Sequence, residues 1–168
     1  MDNKNERNLT HGLWDSFEHV LLFFSLYIMM ITLSSTLHIF IDHWIPSSLK
    51  LQEVSNYLMD FNLSLLRFYV AGLIITYPIF AFLFLNIVKR TRQYPEVRKL
   101  KSRKVLTYLT LFFTFLLLIF NAISIVYNFL DGNVSVNFLL HFITTGTVNG
   151  LVFVYYLHQI KEDKKVYV

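Results

Sequence analysis

His38 and Asp42 stand four residues apart, so they share one face of any helix that holds both. His43 follows at once, Arg67 closes the next polar stretch, and His141 falls near the start of a later apolar run. If helices carry His38, Asp42, Arg67 and His141 to one depth, imidazole, carboxylate and guanidinium groups gather at one end of a bundle. Such a set could take up a proton, admit an ion, or hold a divalent cation through His38, Asp42 and His141. A His-x-x-x-Asp-His string is a weak metal signature without further ligands at fixed spacing. The plainer expectation is a water boundary, where such side chains set helix depth by snorkelling or pairing.

Two amides lie deeper. Asn121 is ten residues, roughly 15 Å of helix, from Asp131, and Asn149 sits mid-way along the last apolar run. An amide among apolar groups seeks a partner, and such interhelical bonds contribute about 0.6 kcal/mol on average. The first expectation for both is helix-to-helix contact; the second is a pore lining. Gly146 and Gly150 form a GxxxG pattern with Thr145 alongside, which lets helices approach closely within one bundle or between protomers. Pro78 removes one backbone donor from its helix and predicts a kink.

The elements that must position these residues follow from four long runs free of Asp, Glu, Lys and Arg. They predict membrane-spanning helices at about 19–41, 68–88, 105–130 and 137–160, each near the roughly 20 residues that cross about 30 Å of hydrocarbon. The runs do not alternate and are too long for strands, and a lone spanning segment must satisfy its backbone internally. The expected fold is therefore all-α, a single polytopic domain over 1–168 built as a four-helix transmembrane bundle. An apolar fraction of 55% and 17 Phe residues in a chain of 168 fit lipid exposure better than a soluble core. Trp14 and Trp44 bracket the first run, and Tyr108, Tyr127, Tyr155 and Tyr156 lie toward the ends of the third and fourth, as interfacial aromatics do. The first run is too long for a signal-peptide core and has no small-residue cleavage site behind it, so it reads as a retained span.

The stretch 89–104 reads as a basic connection and 42–67 as the opposite one, with a short interfacial helix expected around 53–66. Four spans put both termini and the basic connection on one side. That side carries 13 Lys and Arg residues and the other carries Lys50 and Arg67, so both termini are expected in the cytoplasm. The basic connection is expected against anionic lipid headgroups, at about 1 kcal/mol per charge. Nucleic-acid binding would need interleaved aromatic platforms, and only Tyr94 is available.

With no Cys, disulfides, thiolate metal sites and Cys nucleophiles are excluded. No nucleophile elbow, phosphate-binding loop, zinc-protease helix or dinucleotide fingerprint occurs. A membrane bundle can hold haem between His residues of different helices. The pairs on offer are His19 with His158 and His38 with His141, all read as interfacial.

The stretches LRFYVAGLIITYPIF, YPEVRKLKSRKVLTYLTLF, YNFLDG, FLLHF and GLVFVYYLHQI carry a resemblance over nearly the whole chain. Most specific are Ala71 to Pro78, the basic stretch leading into Leu106 to Leu111, and the Tyr155–Tyr156 pair. The sequence resembles an uncharacterised bacterial membrane family catalogued as domain of unknown function 5671, which implies four helices and supplies no activity. In that resemblance Arg67 is kept, while Asn121 replaces an acidic residue and His141 replaces Lys. An intramembrane acid–base pair, if the family relies on one, is here neutral or pH-sensitive.

The sequence thus reads as a non-enzymatic, multi-pass protein of the bacterial cytoplasmic membrane. Its leading role is a structural, accessory or homo-oligomeric subunit without cofactor, partnered by lipid or other membrane proteins. The alternative is a small oligomeric ion or proton channel or transporter, and a second is a membrane redox or haem protein.

Overall fold

Where a chain lacks charges for twenty residues or more, side chains cannot solvate the backbone from outside, and a helix closes its own hydrogen bonds. The computed structural model describes residues 2–45, 56–93, 101–132 and 134–165. It has four helices and, among the described residues, no strand: α1 (Asp2–Trp44), α2 (Asn56–Gln93), α3 (Lys101–Leu130) and α4 (Val136–Lys165). All four contain stretches long and apolar enough to cross a membrane, at Leu13–Trp44, Leu63–Thr91, Lys101–Leu130 and Val136–Asp163.

Every helix outruns its apolar run, because nothing in the flanking polar residues stops it. On α2 this corrects the expected interfacial helix. From Asn56 onward that stretch is continuous with the span, while 53–55 lie outside the described residues. The basic connection shrinks likewise. Lys89 to Gln93 end α2, Lys101 to Lys104 open α3, and 94–100 lie outside the described residues. Lys50 lies outside them too. The helix of α2 runs unbroken through Pro78.

The α3–α4 turn has visible local causes. Gly132 takes a left-handed φ of 72°, which a residue without Cβ adopts freely at a helix end. Its N–H and that of Asp131 close back on Phe129 O and Tyr127 O at 3.3 and 3.0 Å. Ser135 then caps α4, its Oγ accepting from Phe138 N at 3.1 Å. A hairpin this tight lays α3 antiparallel along α4.

The first helix is the hub: it packs along α2 and touches α3 and α4, while α3 packs along α4. Between Leu63 and Asn86 no residue of α2 is fully buried, so that helix lies on the periphery. We call the end holding the starts of α1 and α3 and the ends of α2 and α4 the basic end, and the other the distal end.

The exterior is apolar and the interior is polar. Phe24, Phe82, Phe120, Phe129, Ile74 and Leu151 are among many large apolar side chains facing outward. The buried set includes His19, Ser25, Thr32, Thr36, Arg103, Thr107, Thr110, Thr114, Asn137 and Asn149, against a small apolar cluster of Phe23, Leu26, Met30 and Tyr156. Thr110 and Thr114 are 0% exposed. Small hydroxyls can serve as filling because they bond their own helix: Thr32 to Ile28 O at 2.8 Å, Thr36 to Thr32 O at 2.7 Å, Thr114 to Thr110 O at 2.8 Å. Tyr27 OH meets Thr110 Oγ1 at 2.9 Å across α1 and α3. Small residues at the seams bring backbones close, as interfaces without a hydrophobic driving force require.

Gly72 marks the tightest seam, since a Cβ there would lie 2.9 Å from Thr32 Cγ2, whose rotamer is held by the back-bond to Ile28 O. A Cβ on Gly150 would meet nothing within 4 Å. Gly72→Val is therefore expected to cost about 1–3 kcal/mol by overpacking, while Gly150→Ala raises stability by up to about 1 kcal/mol through helix propensity. Thermal melts of both variants in detergent should move in opposite directions.

Candidate functional site

At the distal end α4 carries Asn137, His141, Thr145 and Asn149, each four residues after the last. This spacing makes one polar stripe along the helix. On α1, His38 and Asp42 face it. Asp42 Oδ1 receives His141 Nε2 at 3.0 Å and Asn137 Nδ2 at 3.2 Å, and Asn137 Nδ2 also donates to Ile45 O at 2.6 Å. His38 Nδ1 is hydrogen-bonded to His141 Nδ1, the ring centroids 4.5 Å apart and their planes 19° from parallel. His38 Nε2 meets Thr145 Oγ1 at 3.1 Å.

With Asp42 ionised and both imidazoles neutral, one arrangement of protons satisfies every contact. An ionised carboxylate only accepts, so His141 Nε2–H donates to Asp42. In the neutral ring Nδ1 then keeps its lone pair and accepts from His38 Nδ1–H. That leaves His38 Nε2 to accept from the Thr145 hydroxyl. The result is a one-directional chain, Thr145 to His38 to His141 to Asp42, with every imidazole nitrogen engaged. It joins α1 to α4 across about 100 residues of sequence and half-buries both rings.

Of the four residues expected in this cluster, His38, Asp42 and His141 meet. Arg67 does not: it is exposed and takes no part in the hydrogen bonds of the cluster. Peripheral packing of α2 leaves its guanidinium outside the α1–α4 seam. Asn137 and Thr145, which complete the chain, were legible as members of the four-residue stripe. Among the described residues no group of three or more His, Asp or Glu is arranged to hold a metal ion.

Of the two amides, Asn121 makes the expected contact between helices and Asn149 bonds only its own helix. Asn121 Nδ2 donates to Phe142 O at 3.0 Å, and a Cβ on Gly146 would lie 3.1 Å from that nitrogen. Gly146 thus serves packing inside the bundle, whereas Gly150 borders open space. Asn149 Nδ2 back-bonds to Thr145 O at 2.8 Å, and its buried Oδ1 has no hydrogen-bond partner.

The basic end carries a second cluster. Arg90 on α2 bridges Asp15 and Glu18 of α1, reaching Glu18 at 2.9 Å, and Glu18 also accepts from Trp14 Nε1 at 2.9 Å. Arg103 on α3 is 5% exposed and donates through Nη2 to Gln159 Oε1 at 3.0 Å and to Asp163 Oδ1 at 3.4 Å. Two members of the basic stretch therefore turn toward other helices rather than outward. His19 departs from its interfacial reading as well. It is 3% exposed, with Nδ1–H on Asp15 O at 2.7 Å.

The sequence model of one family, described as Domain of unknown function (DUF5671), matches residues 15–156. The chain belongs to that family. The matched region runs from the Arg90-bound Asp15 to the buried Tyr156, so it holds the whole distal cluster, while Gln159 and Asp163 of the basic end lie beyond it. No curated protein and no solved structure matches the chain.

Proposed function

We propose that the chain is a non-enzymatic integral protein of a bacterial cytoplasmic membrane, with both ends in the cytoplasm, and that it passes protons through its distal half. Lipid covers the apolar exterior, and the excess of basic residues at one end supports the orientation. The observation that carries the proton reading is the Thr145–His38–His141–Asp42 chain. A purely structural seam needs no relay of two imidazoles ending on a carboxylate, and imidazole is the side chain that changes charge between pH 5 and 8.

One transfer balances link by link. A proton arriving from the interior binds His38 Nε2, His38 releases its Nδ1 proton to His141 Nδ1, and His141 gives its Nε2 proton to Asp42. The Thr145 hydroxyl, now accepting from His38, turns its own hydrogen to the carbonyl one turn back, as helical Thr does. Reversal or rotation of the rings resets the chain. Asn137 holds Asp42 in place as the terminal acceptor. Among the described residues, the other charged groups and imidazoles at this end include the exposed His43 on α1, the exposed Arg67 on α2 and Asp131 just past α3; none stands in the chain.

The test is flux into liposomes holding purified protein and a pH-sensitive dye. Wild-type protein should equilibrate an imposed gradient faster as pH falls from 8 to 5, because uptake by a neutral imidazole gains driving force. His38→Phe should lower the rate at least tenfold. Absence of flux from wild-type liposomes throughout that range would sink the reading and leave the accessory-subunit role.

A further inference from the structure

Tyr77 stands 14 residues from either end of the apolar stretch Leu63–Thr91 of α2, at the middle of the span. It is 61% exposed, and among the described residues its hydroxyl makes no hydrogen bond. With roughly 21 Å of helix to each end, the phenol does not reach the headgroups, where Tyr is at ease. Nor does it bond its own backbone, because the ring holds the hydroxyl too far out. Gly72 lies beside Thr32 on the neighbouring antiparallel helix, so Tyr77, five residues on, is level with Tyr27, five residues back. Tyr27 turns inward and meets Thr110 Oγ1 at 2.9 Å. Tyr77 faces out. A second polar atom lies on the same side. Pro78 has no N–H to give Ile74 O, the carbonyl one turn before it, and among the described residues no side chain donates there. The neighbouring hydroxyl, Thr76 Oγ1, bonds Gly72 O instead at 2.8 Å. Ile74 is 69% exposed and Pro78 is exposed too, so this carbonyl lies on the outward side. Polar groups left without bonds in hydrocarbon are costly, and acyl chains offer neither donor nor acceptor.

We propose that this face of α2 pairs with α2 of a second copy of the chain, Tyr77 OH of each donating to Ile74 O of the other. Copies threaded the same way through a membrane share depth, so a two-fold axis along the membrane normal sets like beside like. Helical side chains lean toward the N-terminus of their helix, which carries the Tyr77 hydroxyl toward the level of Ile74. Donor and acceptor then stand at one depth on one surface. That surface is complementary to itself. The spacing agrees: Val70, Ile74, Tyr77 and Ala81 are 4, 3 and 4 residues apart, the interval that keeps a seam between two supercoiled helices facing inward. Ala81, one turn beyond Tyr77 and partly exposed, leaves room for the ring of the other copy. The glycine pattern of α4 is a different surface, since Gly146 packs inside the bundle against Asn121. The inference rests on the membrane setting proposed above and not on proton passage, because self-association is measured without a gradient.

The test uses the full chain, whose lack of Cys makes any introduced thiol the only one. In native membranes treated with copper phenanthroline, Ala81→Cys should form a disulfide-linked dimer, whereas Leu151→Cys, exposed on α4, should stay monomeric. If Ala81→Cys does not insert, Val70→Cys takes its place. Purified wild-type protein, labelled at its C-terminus and held in phosphatidylcholine liposomes, should show energy transfer between copies that falls with lipid dilution as a dimer dissociates. Tyr77→Phe removes the hydroxyl and keeps the ring. With its helical content checked by circular dichroism, that variant should dissociate at a protein-to-lipid ratio about fivefold higher or more, as two interhelical bonds lost together imply. Monomers throughout the dilution series, a Tyr77→Phe dimer as tight as wild type, or linkage at Leu151 in place of Ala81 would each overturn the contact and leave the membrane setting intact. Protein recovered in aqueous extract without detergent would overturn that setting and the contact with it.

Discussion

Arg103→Leu should lower the stability of the purified protein by about 3 kcal/mol, the lower part of the range for breaking one partner out of a buried charged pair. In a chain of this size that is a fall in melting temperature of about 6–12 °C. The side chains of Arg103 and Asp163 are 6% and 14% exposed, so removing the guanidinium deprives a desolvated carboxylate of a cation and leaves Gln159 Oε1 without that donor. Arg103→Leu combined with Asp163→Leu should recover most of the loss, because apolar groups can replace both charges of a buried pair at little cost. Arg90 provides the contrast. Its side chain is 36% exposed, so solvent screens its ion pairs, and Arg90→Leu should cost less than about 1 kcal/mol. Melts of the three variants check this ordering; equal losses from Arg103→Leu and Arg90→Leu would show that Arg103 is not the buried anchor of the basic end.

His141→Lys separates relay from anchor at the other end. An ammonium can donate to Asp42 as His141 Nε2–H does, so the α1–α4 seam should hold and the melting temperature should stay within a few degrees. The same ammonium has no lone pair. It cannot accept from His38 Nδ1–H, and the path from Thr145 to Asp42 is cut at its second link. Flux should fall at least tenfold and lose its dependence on pH between 5 and 8. A variant that stays folded and still passes protons at the wild-type rate would place the path elsewhere in the bundle.

The family's resemblance was legible in quoted blocks such as Ala71 to Pro78, and the match over residues 15–156 agrees with it. Several other features were legible without any comparison. Charge-free runs and their lengths are one-dimensional properties, so four apolar helices followed directly, as did the split of basic residues between the two ends. The stripe Asn137–His141–Thr145–Asn149 was also present in the spacing. It lacks charge, and a search for ionic groups passes over it.

What the tertiary structure alone decided is which polar groups meet. His38 and His141 are 103 positions apart, and nothing in either segment states that their rings share one seam. Arg67 shared their expected depth, yet α2 lies at the periphery and leaves it outside. Arg103 looked like one more charge of a basic connection, yet the start of α3 turns it inward to Gln159 and Asp163. The physical reason is common to all three. A helix that is apolar on nearly every face carries a weak signal for its own rotation, and that rotation is set by small-residue seams such as Gly72 against Thr32. Sequence therefore determined how deep each polar group lies along its helix, and packing determined the direction in which it faces.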